Sequence, residues 1–103
     1  MLKAVDAWAR GQAQDHPTLI LLGLFGSYAR GDAGVGSDLD LVAILSSSDE
    51  PFEQRALGWD TLALPLPADL LVYTTAEWDR MRAAGSRFVA VVEREAVWLF
   101  RRR

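Results

Sequence analysis

Two aspartates, Asp38 and Asp40, stand at the head of the apolar run Leu39 to Leu45, and they restrict what the chain can form more than any other feature. Aspartate is disfavoured in strands, and a carboxylate beside a core is costly unless it is paired or faces a cation. In an extended chain residues i and i+2 point the same way, roughly 6 to 7 Å apart, so both carboxylates project from one face while Leu39 and Leu41 project from the other. That geometry can bracket Mg²⁺, which takes oxygen ligands at about 2.0 to 2.1 Å and combines one or two carboxylates with water and phosphate oxygens. Taken alone, the pair also fits two exposed acids at a strand end.

Composition narrows the chemistry. The chain has 103 residues, 50% hydrophobic and 24% charged, which is ordinary usage for one globular domain over residues 1–103. The apolar stretch Leu19 to Phe25 falls well short of the about 20 residues a bilayer requires, and no signal-peptide succession opens the sequence. A soluble cytoplasmic protein with no membrane partner is therefore expected. With no cysteine and a single histidine, His16, neither a thiolate zinc site nor an imidazole metal centre can be built, so any metal must be held by oxygen. Eleven basic against 14 acidic residues leave a net charge of −3, which argues against direct nucleic-acid binding. Arg101, Arg102 and Arg103 are expected to form a frayed, solvated tail.

Leu2, Val5, Trp8 and Ala9 lie at helical spacing, and the polar stretch up to Pro17 should end that helix near residue 14. Thr18 to Phe25 and Leu39 to Leu45 have the character of buried strands. The interval between them is too short for a crossover helix, so the two should be antiparallel neighbours. Pro51 suits the first turn of a helix running to about Asp60 that buries Phe52, Ala56, Leu57 and Trp59. Beyond Pro65 and Pro67, Leu70 to Thr74 forms a third strand. Thr74 and Glu77 have capping-box spacing for a helix to about Ala84, stopped by Gly85. Ser86 caps a short helix burying Phe88, Val89 and Val92, and Ala96 to Phe100 completes the strands. The expected class is α/β or α+β, a small mixed sheet with flanking helices. Trp8, Trp59, Trp78 and Trp98 are packing residues in this scheme, and His16 is an incidental surface residue.

Gly26-Ser27 directly follows the first apolar run and opens a short turn or helix, where unpaired backbone N–H groups can receive a phosphate and glycine permits close approach. Ser27 can cap that helix or donate its hydroxyl, and Arg30, one turn on, can pair with phosphate or simply be solvated. No Gly-Lys-Ser/Thr follows, and the spaced glycines of a dinucleotide site are absent. A third acid, Asp69, lies between Ala68 and Leu70 where the third strand begins.

Gly26-Ser27-Tyr28-Ala29-Arg30-Gly31, Ser37-Asp38-Leu39-Asp40-Leu41 and Ala68-Asp69-Leu70 resemble, in order, the Gly-Ser turn, Asp-x-Asp strand and later hydrophobic-flanked acid of the minimal nucleotidyltransferases in the DNA polymerase beta-like superfamily. The flanking helices and final strand extend the resemblance over essentially the whole chain. It implies a polymerase beta-like nucleotidyltransferase fold and an enzyme whose catalytic acids Asp38, Asp40 and Asp69 hold Mg²⁺, with two ions expected. It also implies that Gly26 and Ser27 bind the nucleotide triphosphate, that Arg30 and Ser37 support that site, and that Asp69 lies nearest the attacking hydroxyl. The Tyr28 ring either covers the nucleotide or packs on the sheet.

Small members of this family commonly act as antitoxins beside a helical toxin of HEPN ribonuclease fold, and some are thought to silence it by adenylylating a toxin tyrosine. The resemblance thus implies AMP transfer from ATP to a tyrosine of a HEPN-type toxin, within a type VII-like toxin–antitoxin pair that can associate as a hetero-oligomer. One alternative is a binding module that neutralises its partner by occlusion with weak or no catalysis, against which the three intact acids weigh. Another is an antibiotic- or sugar-modifying nucleotidyltransferase, which would normally need an additional acceptor-binding domain.

Overall fold

Alternation along the strands gives the sheet two buried faces, and helices cover each of them. In a computed structural model that describes residues 2–102, the strands are β1 (Leu19–Phe25), β2 (Leu39–Leu45), β3 (Ala68–Thr74) and β4 (Val97–Arg101). The helices are α1 (Leu2–Asp15), α2 (Ser27–Arg30), α3 (Phe52–Arg55), α4 (Thr75–Ala83) and α5 (Arg87–Glu95), with 3₁₀ turns at Ala56–Gly58 and Thr61–Ala63. The strand order is β3-β2-β1-β4. β1 is antiparallel to both β2 and β4, whereas β2 and β3 run parallel. The mixed sheet with flanking helices is as expected. The parallel step needs a crossover, and α3 with the two 3₁₀ turns supplies it.

On one face, Leu39, Leu41, Ala43 and Leu45 of β2 join Leu22, Leu24, Leu70 and Val72 beneath Val5, Trp8, Ala9 and Ala13 of α1, with Trp59 and Leu64 closing the side. On the other, Val42 and Ile44 pack under Trp78 of α4 and Val89 and Val92 of α5. Each fully buried leucine contributes roughly 2 kcal/mol. Gly23 in β1 has a packing reason: a Cβ there would meet the Trp98 ring at 2.7 Å, so glycine lets the indole lie flat on the strand. Among the described residues no helix is long and apolar enough to cross a membrane.

Thr74 and Glu77 form the expected capping box, and the Ser86 side chain accepts from Val89 N at the start of α5. Several expectations fail, each for a physical reason. The helix after Pro51 is one turn that tightens into 3₁₀ geometry before Gly58. Phe52 and Leu57 therefore share no buried face and are exposed, while Trp59 is buried as foreseen. Arg55 is buried in their place. Trp98 does pack as expected, half-buried against the α4–α5 side of the core from the edge strand β4. His16 is half-buried rather than incidental, its ring stacked on Trp59 at 4.0 Å between centroids. The basic tail is not frayed at Arg102, whose Nε donates to Leu19 O at 2.8 Å and whose Nη2 donates to Ala13 O at 3.1 Å. Arg101 belongs to β4, and Arg103 lies outside the described residues.

All three nitrogens of the buried Arg55 guanidinium donate hydrogen bonds. Its Nη1 and Nη2 donate to the two Glu77 carboxylate oxygens at 2.6 and 3.1 Å, Nη1 also donates to Val72 O at 3.1 Å, and Nε donates to Glu50 O at 2.9 Å. The Arg55 hydrogen bonds, and secondarily the Thr74 amide, hold the Glu77 carboxyl down at about 2 from its ordinary 4.5. A depressed carboxyl contributes stability that is complete above the unfolded-state value and lost as pH falls through the folded one. Glu77→Gln should therefore cost about 2 kcal/mol at neutral pH. The gap from wild type in urea denaturation should close as pH drops from about 4.5 toward 2. A gap independent of pH would contradict the assignment of the ion pair.

Candidate active site

β1 ends at Phe25, which lies opposite Asp40 in the antiparallel register. The next residue turns the chain: Gly26 has φ +75° and ψ −154°, a region open essentially to glycine alone. Asp40 supplies a second reason for glycine. A Cβ on Gly26 would run into the Asp40 carboxylate, its Cγ being 3.1 Å from the position that Cβ would occupy. The Gly-Ser turn and one acid of the Asp-x-Asp pair are thus in direct apposition.

Gly26, not Ser27, occupies the N-cap of α2, and no side chain caps it. The first intrahelical bond runs from Arg30 N to Gly26 O at 3.0 Å. The amides of Ser27, Tyr28 and Ala29 precede it and have no intrahelical acceptor. Tyr28 is half-buried against the α1-side core, which favours the sheet-packing role for its ring. After α2, the loop to β2 is clasped by Ser37, whose Oγ accepts from Gly34 N at 3.0 Å while its own N–H donates to Gly34 O at 3.1 Å. The Ser37 hydroxyl therefore fixes the lead into Asp38.

Asp40 and Asp69 are directly paired residues in the parallel ladder of β2 and β3, so their Cα atoms lie about 4.8 Å apart with side chains on the same face. That face is the one beneath α4 and α5, and the acids sit at its open end. Asp69 falls inside β3, because the strand starts at Ala68 rather than Leu70. Asp38 is exposed at the end of the loop, two residues before Asp40. Partial burial, then the nearby charges of Asp69 and Asp38, push the Asp40 carboxyl up, and the Arg30 charge opposes them. No three Asp, Glu or His side chains among the described residues already form a metal cage. The donor set is nonetheless three carboxylates with no soft ligand, which suits a hard oxygen-seeking dication and whose mutual repulsion such an ion would relieve.

Arg30 is not simply solvated. Its Nε donates to Asp32 Oδ2 at 3.1 Å and its Nη1 to Glu95 Oε1 at 3.3 Å. Sequence reasoning missed both partners. Asp32 is near Arg30 but lies in no recognisable motif. Glu95 is 65 residues away at the end of α5, and no local pattern links the two.

The family profile described as nucleotidyltransferase domain matches residues 9–99. No protein of curated function is significantly similar in sequence. Among solved structures, a Sulfolobus solfataricus protein assigned as a nucleotidyltransferase superposes with a TM-score of 0.69 at 23% identity, covering 99% of this chain and 81% of that one. A toxin–antitoxin structure with AMP-PNP gives 0.67 at 22% identity, covering 95% and 74%. The MntA–HpeT toxin–antitoxin pair, in a mutant with two aspartates two positions apart replaced by glutamate, gives 0.64 at 19% identity over the same shares. These likenesses establish the fold.

The turn geometry can be tested with two glycines of positive φ. Gly31 has φ +82° with nothing near its would-be Cβ, whereas Gly26 combines positive φ with the Asp40 contact. Gly31→Ala should cost about 1 kcal/mol, the backbone penalty alone. Gly26→Ala should cost about 3 kcal/mol, because backbone strain and displacement of a carboxylate add. Equal losses in urea denaturation would refute the apposition.

Proposed function

Because the chain belongs to the nucleotidyltransferase domain family, whose profile spans residues 9–99, we propose that it transfers AMP from ATP to a hydroxyl of a partner protein in the cytoplasm. The partner in this reading is a HEPN-type toxin carrying an acceptor tyrosine, and the chain is its antitoxin. The observation that carries the reading is that the Asp40 carboxylate, beside Asp69, fills the space a Gly26 side chain would take, which brings the Gly-Ser turn and an acid pair into one corner. The likeness to two toxin–antitoxin structures, one with AMP-PNP and one altered at two closely spaced aspartates, supports the choice of nucleotide and partner.

Each residue has a role in this scheme. The Ser27 and Tyr28 amides and the Ser27 hydroxyl bind the triphosphate. Asp38, Asp40 and Asp69 are the groups that would hold Mg²⁺, expected as two ions, which when bound supplies electrostatic stabilisation of the phosphate charge. Asp69 is exposed on the edge strand β3, so it faces an arriving acceptor and orients its hydroxyl for in-line attack. The acceptor oxygen bonds to the α-phosphorus as the bond to the bridging oxygen breaks. Pyrophosphate leaves, and the hydroxyl proton passes to Asp69. Because Asp38 and Asp69 lie at the surface rather than in a deep cleft, the corner suits an acceptor that brings its own surface, as a protein does.

Three measurements test the proposal. Asp69→Asn should retain most ATP binding yet abolish transfer of label from α-labelled ATP to the co-expressed partner, giving no labelled protein band. Label on an aminoglycoside-like small molecule, with no protein band under any condition, would overturn the protein acceptor. ATP affinity in calorimetry should fall when Mg²⁺ is removed, and Asp38→Asn with Asp40→Asn should erase that difference. Full toxin neutralisation by this double variant in cells would instead favour occlusion without catalysis.

A further inference from the structure

We propose that Glu95, at the C-terminal end of α5, is a positioning residue for nucleotide binding: it holds the Arg30 guanidinium at the mouth of the acid corner with free N–H donors for a triphosphate. The inference rests on the nucleotidyltransferase reading above and adds a residue that no motif of the chain contains.

A guanidinium has five N–H donors. Arg30 uses one at Nε on Asp32 and one at Nη1 on Glu95, so three remain. Its two carboxylate partners are not equivalent. The Asp32 side chain is 60% exposed, two residues away in a loop, whereas that of Glu95 is 20% exposed. Glu95 also stands on a helix anchored by Val89 and Val92, 1% and 0% exposed. Glu95 is therefore the fixed reference and Asp32 a local companion. The other charged group facing Glu95 is Arg94, whose Nη2 lies 3.8 Å from Oε2, so the carboxylate bridges two cations.

Fixing a long, flexible arginine is a cost that a ligand must otherwise meet on binding, and a side chain already held in place spares it. The hold is weak enough to yield geometry without excluding the ligand. A half-exposed ion pair is a modest attraction, and a triphosphate offers several charged oxygens to the unused donors. Arg30 also starts from the right place, since it follows the Gly26-Ser27 turn by one helical turn and its charge reaches Asp40.

Calorimetric titration of the full chain with ATP and Mg²⁺ tests this, with thermal unfolding of every variant alongside. Glu95→Gln should weaken ATP binding about fivefold at an unchanged unfolding midpoint, and Glu95→Asp should recover part of the loss. In an Arg30→Ala background, Glu95→Gln should have no further effect, because its influence passes through Arg30. In the transfer reaction the same change should raise KM for ATP and leave kcat within about twofold. Wild-type affinity in Glu95→Gln while Arg30→Ala binds poorly would overturn the inference and leave the nucleotidyltransferase reading standing. An undiminished effect of Glu95→Gln in the Arg30→Ala background would also overturn it. Absence of ATP binding by the wild type would remove the reading itself, and the inference with it.

Discussion

Burial of Leu39, Leu41, Ala43 and Leu45 against α1 dictates which way the intervening residues of β2 must point. Because side chains alternate with a period of two, those four leave Asp40, Val42 and Ile44 for the opposite face. Slipping the register by one residue would drive Asp40 under α1 and force the leucines into the space that Val42 and Ile44 fill beneath α4 and α5. Several kcal/mol of apolar burial stand against that slip, far more than the repulsion among three partly solvated carboxylates. The core therefore holds the acids close together. The parallel register with β3 then brings Asp69 alongside Asp40, so the acid corner follows from packing on the far side of the sheet.

The two ends of β3 use charge in opposite ways. At the C-terminal end, Arg55 and Glu77 form a pair whose charged groups are also hydrogen-bonded to the backbone, at Val72 O and Thr74 N. Burying such a pair carries a desolvation cost that its matched hydrogen bonds offset, and removing one partner is disruptive. At the N-terminal end Asp69 is exposed next to another acid, and among the described residues it forms no ion pair. Like charges left adjacent are a liability for stability, and they persist in proteins where a ligand or ion completes them.

The parts legible in the sequence are those written in short-range patterns. Leu39–Leu45 is an apolar run broken only by Asp40, Thr74 and Glu77 are three apart, and Gly26-Ser27 follows a strand directly. Each carries its chemistry within one turn of helix or one strand. The residues that escaped, Arg55, Glu95 and Arg102, are polar side chains whose partners lie 22, 65 and 83 residues away. Their environment is a product of the tertiary arrangement, so a charged residue in a polar stretch looks solvated until the sheet is assembled. Phe52 and Leu57 failed in the reverse direction: they fit one face of a regular helix, but that helix stops at Arg55 and Leu57 falls in the 3₁₀ turn that follows, so the two share no buried face.

Gly26 and Asp40 occupy what amounts to one volume, with the carboxylate filling the space a side chain on the turn would take. The turn and the acid therefore share one space. Any ion that draws the Asp40 carboxylate forward changes the room above the Gly26 backbone, and any anion that settles on the turn restricts where that carboxylate can lie. Linkage makes the influence reciprocal: whatever free energy an ion contributes to anion affinity, the anion returns to ion affinity. Two ligands of opposite charge at this corner, if both bound, would thus meet first through the space shared by one glycine and one aspartate.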